Sequence, residues 1–346
     1  MSHSGLAFPT RELGRTGLSL TELGLGCAAM AGNHRVVADE DIAAAIDEGL
    51  SRGIGFLDTA PFYGFGRSER FVGDALRARK GDYVLSTKAG RLLQAGEAPE
   101  SLARDWPGAL PFTPVFDYSY DGIMRSYEDS RQRLGLPRID ILLLHDIGVM
   151  QHGEELNRRH FEDAMSGGYR ALDELRRAGD IKGIGLGVNE REVCLAALEH
   201  GDWDCFLLAG RYTLLEQQPL QDLFPACEKA GTGIILGGPY NSGILAGGDT
   251  WDYARAPAEV VDKVQSIARV CASHAVPLQA AALQFPLGSK LVASVIPGPR
   301  SRAEAAQNVA WFQSEIPESL WSDLAAEGLL ADGTPIPQRP LEGASA

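Results

Sequence analysis

A closed parallel α/β barrel of the (β/α)8, or TIM-type, architecture is the fold this sequence predicts. Two observations carry that prediction. Apolar strand-like runs alternate with amphipathic helical stretches eight times in 346 residues, the pattern of a parallel sheet joined by helical crossovers. No Pro/Gly/Ser-rich linker or charge block divides the chain. One barrel domain, with its core over residues 11–329, is therefore favoured over two domains or an open doubly wound sheet.

The strands are expected at residues 23–27, 55–59, 83–88, 139–145, 183–188, 205–209, 233–236 and 291–296. Helices are expected at 39–52, 68–79, 122–134, 169–178, 191–199, 220–230, 259–274 and 303–312. The first opens on acidic residues suited to a helix N-terminus, and the second carries Phe71, Ala75 and Leu76 on one face. Before the first strand, residues 13–20 read as a hairpin with Gly17 in its turn, placed to plug the bottom of a barrel. Residues 91–120 and 146–168 are too long to be simple turns. They predict long loops at the C-terminal face, where barrel active sites are built. Residues 338–346 read as a loose tail.

Composition narrows the function. A net charge of −14 argues against nucleic acid or an anionic membrane surface as partner, and leaves a small molecule. Five cysteines, odd in number and widely spaced, fit reduced core thiols. His34, His152, His160, His200 and His274 show no ligand spacing, so no metal is expected. No apolar run is long enough to span a bilayer, and the first ten residues lack a signal-peptide pattern, so a cytoplasmic protein is expected. Oligomeric state is not legible.

The chemistry lies where polar residues end apolar strands. Asp58 ends the second strand, with Tyr63 five residues on; Lys88 ends the third and His145 the fourth. A single lysine or histidine there is usually a solvated or satisfied residue. Four ionisable groups at one end of three adjacent strands point instead to a shared site. A phenol titrates near about 10, too high for a base at neutrality, and an ammonium beside it stabilises the phenolate. A carboxylate behind the lysine keeps the lysine charged, and a histidine can orient a substrate oxygen. Such a set suits proton transfer in alcohol–carbonyl interconversion.

Phosphate-binding signals follow the last strands. Gly237-Gly-Pro-Tyr-Asn-Ser-Gly243 offers flexible backbone amides, and Ile296-Pro-Gly-Pro-Arg-Ser-Arg302 leads into a helix N-terminus. Either alone is an ordinary glycine turn; after strands seven and eight of a barrel, both suit a dinucleotide. Gly24-Leu-Gly26 lacks the third glycine of a dinucleotide fingerprint and is set aside.

The sequence resembles the aldo-keto reductases. The resemblance rests on Asp58-Thr-Ala-Pro-Phe-Tyr-Gly64, Ser68-Glu69, the Gly73–Leu76 run, Tyr127-Glu-Asp-Ser130 with Leu134-Gly135, and the order of Asp58, Tyr63, Lys88 and His145. It implies Tyr63 as proton donor or acceptor, Lys88 and Asp58 tuning it, and His145 orienting substrate. It implies a nicotinamide cofactor held by Asn189, Gly238, Pro239, Asn241, Ser242, Gly243, Gly298, Arg300, Ser301, Glu304 and Asn308.

Glu304 and Gly298 stand where relatives often carry basic residues, which favours NAD; Arg300 and Arg302 favour NADP. The chain departs from the family at Ala209, where many members have glutamine, and at Gly237, where they place an aromatic ring. Within the family the resemblance leans to the L-fucose and D-threo-aldose 1-dehydrogenases, with pyridoxal 4-dehydrogenase and L-galactose dehydrogenase related. The implied reaction is oxidation of an aldose at C1 to a lactone. Phe62, Trp106 and Arg211 are candidates for substrate contact, the alternatives being that Trp106 packs the long loop and Arg211 pairs with an acidic neighbour. The alternatives are pyridoxal oxidation, NADPH-dependent aldehyde reduction, and a nicotinamide-binding regulatory subunit without turnover.

Overall fold

Eight parallel strands follow one another in chain order in the computed structural model, which describes residues 8–77, 79 and 83–338. They are β1 (Leu25–Gly26), β2 (Phe56–Asp58), β3 (Val84–Ala89), β4 (Ile141–His145), β5 (Gly183–Val188), β6 (Cys205–Ala209), β7 (Gly233–Gly237) and β8 (Val292–Ile296). The ring is drawn together between β1 and β8 by a parallel bridge, Leu23↔Val295. Backbone bonds from Gly24 to Val295 (2.9 Å) and from Val295 to Glu22 (2.8 Å) reinforce that seam. The expected barrel is present, with β5 and β6 at their expected bounds and β1 and β2 shorter than expected. Helices such as Asp39–Ser51, Tyr169–Ala178 and Arg302–Phe312 pack outside it.

Side-chain alternation sorts each strand into two faces. Phe56 in β2, Ile141 and Leu143 in β4, Leu207 in β6 and Ile235 in β7 point inward and form one buried cluster. Leu57, Leu142, Leu144, Phe206 and Leu236 point outward into the larger core beneath the helices. The same parity puts Asp58, Lys88 and His145 on the inner line, one step above these apolar residues. Bulky inner side chains need room opposite. Gly187 of β5 supplies it, because a Cβ there would lie 2.9 Å from Lys88 Cε.

The bottom is closed by the antiparallel pair Thr10–Glu12 and Ser19–Thr21, with Gly17 at φ 69° in the turn. Leu13 and Leu20 are fully buried and join the inner cluster, so the hairpin plugs the barrel as expected. Arg11 fastens it by donating to the carbonyls of Leu287 (2.8 Å), Ser289 (2.9 Å) and Val292 (3.1 Å).

The two long connections are not plain loops. The first folds into an antiparallel hairpin, Arg91–Ala95 with Phe112–Phe116, and the short helix Glu100–Asp105. The second holds the helix Val149–Asp163, broken at Gly153 (φ 68°), and a π-helical turn Ala164–Gly168. A further hairpin, Thr250–Trp251 with Ala254–Arg255, rises after β7. The hairpin strands and the helix Glu100–Asp105 are too short to register as periodic patterns, and Gly153 interrupts the longer helix. Among the described residues no helix is long and apolar enough to cross a membrane, and all five cysteines are buried and unpaired. Of the expected tail, residues 339–346 lie outside the described residues.

Candidate active site

Asp58, at the end of β2, is the anchor of the site. Its Oδ2 accepts from Lys88 Nζ at 2.7 Å and its Oδ1 from Ser86 Oγ at 2.6 Å. Lys88 also donates to the Thr59 carbonyl at 2.9 Å and is 1% exposed. Such a charge survives burial only when paired and hydrogen-bonded, which it is.

Tyr63 follows β2 in a tight turn through Gly64 (φ 61°), Phe65 (φ 53°) and Gly66 (φ 95°). Its ring lies 4.9 Å from Lys88 Nζ, edge-on to the His145 ring at 5.6 Å, and stacked on Trp106 at 5.8 Å. The four expected residues are thus brought together at one end of the barrel interior. Burial, with the carboxylates of Asp58 and Asp146, holds the Tyr63 phenol well above its ordinary range. Burial, with Arg91 and Lys88, holds His145 well below its own. The sequence led us to expect Lys88 to lower Tyr63. In the structure that ammonium is engaged by Asp58 and Thr59, and desolvation dominates. Tyr63 therefore rests as a proton donor and His145 as a neutral imidazole.

Aromatic faces wall the site. Phe62 meets Trp106 edge-on at 5.2 Å, and the Arg91 guanidinium sits over Phe62 at 3.8 Å. Arg91 is buried and ion-paired to Asp146, whose Oδ2 lies 3.5 Å from His145 Nε2. Tyr118 OH donates to the His145 carbonyl at 2.6 Å and contacts His152 Nε2 at 3.2 Å. Arg91, Asp146 and Tyr118 carry no spacing signal of their own. Arg91 and Asp146 are, however, within three residues of Lys88 and His145 in sequence, the one clue that could have singled them out.

The expected cofactor residues line the rim beyond β5 to β8. Asn189 Nδ2 donates to the Tyr253 hydroxyl (3.1 Å) and the Ala209 carbonyl (3.4 Å). After β7, Gly238 (φ 57°), Asn241 (φ 45°), Ser242 (φ 58°) and Gly243 (φ 110°) hold left-handed backbone, with open space over Gly243. Pro239 is buried beside Gly238, and Asn241 Oδ1 is buried without a partner.

After β8, Gly298 is exposed and Arg300 Nε is buried without a partner. Ser301 Oγ caps the next helix by accepting from Glu304 N at 3.2 Å. Glu304 in turn accepts from the N–H of Arg300, the residue before the cap, at 2.7 Å. Asn308 accepts from Tyr240 OH at 2.8 Å. Left-handed backbone after β7 and a helix N-terminus after β8, with Arg300 Nε left as an unpartnered donor, fit a pyrophosphate-bearing dinucleotide. Arg302, counted towards a 2′-phosphate, pairs instead with Glu48 at 2.6 Å.

Arg211 donates to the Asn189 carbonyl (2.6 Å) and pairs with Asp252 (2.9 Å), so its charge is satisfied inside the wall. These contacts draw the hairpin bearing Tyr253 over the site. Sequence reasoning left that segment as a connection.

Comparisons with known proteins bear on this site. The model of the "Aldo/keto reductase family" matches residues 22–326. The pyridoxal 4-dehydrogenase of Microbacterium luteolum is 46% identical, over 93% of this chain and 98% of its own. The D-threo-aldose 1-dehydrogenase of a Pseudomonas species is 36% identical, over 91% and 96%. Among solved structures, the holo form of an aldo-keto reductase from Bacillus halodurans superposes with a TM-score of 0.68 at 24% identity, covering 94% of this chain and 97% of its own. The glycerol dehydrogenase of Gluconobacter oxydans does so at 0.70 and 21%, covering 97% and 99%; both show likeness of fold. With the barrel and the Asp58, Tyr63, Lys88 and His145 cluster on the page, the chain belongs to the aldo/keto reductase family and is an NAD(P)-dependent oxidoreductase.

Proposed function

We propose that this enzyme oxidises the hydroxyl-bearing carbon of a small cyclic hemiacetal to a lactone, with C1 of an aldose as the first reading. The carrying observation is Tyr63, with Lys88 Nζ 4.9 Å from its ring centre and a neutral His145 edge-on at 5.6 Å, at the open end of the barrel. In this reading the substrate hydroxyl lies between Tyr63 OH and His145. Once Tyr63 has released its own proton to solvent, its phenolate takes the substrate proton and His145 holds the oxygen in line. The bound oxidised nicotinamide supplies the hydride acceptor and a positive charge. Buried Tyr63 gives up its own proton reluctantly, so it serves as base only with cationic charge beside it. Arg91 is the protein cation that favours the phenolate, while Asp58 holds Lys88 in place below the ring.

The cofactor would rest on Asn189, the Gly238–Gly243 turn, Gly298 to Ser301, Glu304 and Asn308. Glu304 at the rim, with Arg302 drawn off to Glu48, supports NAD over NADP. The reduced cysteines support a cytoplasmic setting.

A second reading within the same chemistry is pyridoxal, whose aldehyde closes on its neighbouring hydroxymethyl to a cyclic hemiacetal. The flat faces of Phe62 and Trp106 suit an aromatic ring, and similarity to the pyridoxal dehydrogenase is the greater of the two. The test is nicotinamide reduction, followed by absorbance, with L-fucose, D-arabinose, L-galactose and pyridoxal, each with NAD and NADP. Reduction with a sugar carries the first reading, and reduction with pyridoxal alone carries the second. Silence with all four overturns both and brings forward aldehyde reduction or a regulatory role.

A further inference from the structure

Arg91 is 3% exposed yet lies in none of the positions the fold requires to be charged. Its guanidinium is held between the rings of Phe62 at 3.8 Å and Phe116 at 4.6 Å. One nitrogen donates to Asp146 Oδ2 and to Gln151 Oε1 at 3.1 Å, while Nε is buried without a partner. Asp146 is itself constrained: its backbone is left-handed at φ 49°, with its amide on the Gly187 carbonyl at 2.9 Å. A non-glycine residue in that region costs free energy, and its neighbours must impose it. What this arrangement achieves is to aim a fixed carboxylate at the substrate side of His145, with Oδ2 at 3.5 Å from Nε2. The Asp146 side chain remains 22% exposed.

We propose that Asp146 reads the hydroxyl on the carbon next to the reacting one, and that Arg91 is the positioning residue that locks it. This rests on the hemiacetal reading above. If the reacting oxygen sits at His145 Nε2, a neighbouring hydroxyl oxygen lies about one hydrogen-bond length away. Asp146 Oδ2, 3.5 Å from Nε2, lies within reach of that second oxygen. An aldose carries such a hydroxyl at C2, whereas the ring hydroxyl of pyridoxal stands one carbon further from its reacting centre, so the proposal belongs to the aldose reading. A carboxylate held rigid by a guanidinium fork discriminates by geometry as well as by charge. A substrate lacking the hydroxyl would leave the desolvated pair with an unfilled place, which is how sites built for a hydroxyl reject its absence.

The experiment measures kcat/KM for a turned-over aldose and its 2-deoxy counterpart in the wild type, Asp146→Asn and Arg91→Lys. The ratio of parent to deoxy rates does not depend on the fraction of enzyme correctly folded, so partial misfolding does not mimic the effect. The wild type is expected to favour the parent, and Asp146→Asn to cut that ratio by about ten- to a hundredfold, as for a hydrogen bond to a charged group. Arg91→Lys keeps a cation and loses the fork, and is expected to cut the ratio severalfold. It provides the reading if Asp146→Asn is too damaged to assay. A wild-type ratio near one, or variants that keep the wild-type ratio while both rates fall, would overturn the proposal and leave the reaction standing. A wild type silent on every parent compound would overturn the reaction and this proposal together.

Discussion

Lys88 Nζ and Asp58 Oδ2 stand 2.7 Å apart with side-chain exposures of 1% and 3%, a full ion pair sealed inside the barrel mouth. Removing one partner strands the other. Asp58→Asn is expected to lower the unfolding free energy by about 3–5 kcal/mol, measured by urea denaturation. The double variant Asp58→Asn with Lys88→Met should lose less than the two singles summed, because it leaves no orphaned charge. Additive losses would show that the pair is not coupled.

Tyr63→Phe deletes one hydroxyl and keeps the ring stacked on Trp106. Turnover should fall by about a hundred- to ten-thousandfold while nicotinamide affinity, read by fluorescence quenching, stays at the wild-type value. Near-normal turnover would remove Tyr63 from proton transfer.

Glu304 has two roles to separate, since its carboxylate ties the Arg300 N–H at the start of the helix as well as standing at the expected ribose rim. Glu304→Gln retains the capping geometry and should leave thermal stability nearly unchanged. Glu304→Arg should raise the NADP-to-NAD ratio of kcat/KM. An unchanged ratio would confine Glu304 to the cap.

His152 is packed against Phe116, Tyr118 and the His160 ring, at 4.5 Å between the two histidines. Burial, His160 and Arg91 push its pKa from 6.5 down to about 4. Between those values the unfolded chain binds a proton that the folded chain refuses, so stability is lost as pH falls from 6.5 towards 4. Replacing His152 with glutamine should flatten that decline in melting temperature over the same range. An identical decline would show that other groups carry it.

The barrel and the four clustered residues were legible because strand alternation and strand ends are local patterns: an apolar run ending in Asp58, Lys88 or His145 states its own geometry. Trp106 stacks on Tyr63, yet the hairpin and helix that deliver it leave no periodic trace in the sequence. Arg211 shows the limit of residue type as a guide. Substrate contact and an acidic partner are both open for it in the sequence, and the fold pairs it with Asp252, 41 residues along the chain. Tyr253 was missed because its place over Asn189 is set by that ion pair and by left-handed backbone at Asp252 and Tyr253. The raised Tyr63 phenol was missed because pairwise charge is visible in a sequence and depth of burial is not.

Arg11 reaches carbonyls 276, 278 and 281 residues away, tying the first strand-like segment to the last. Contacts so distant along the chain carry the largest loop-closure entropy and form only when both ends exist. During synthesis the three Arg11 bonds can therefore form only after the segment leading into β8 has left the ribosome, and until then the ring stays unjoined at its seam.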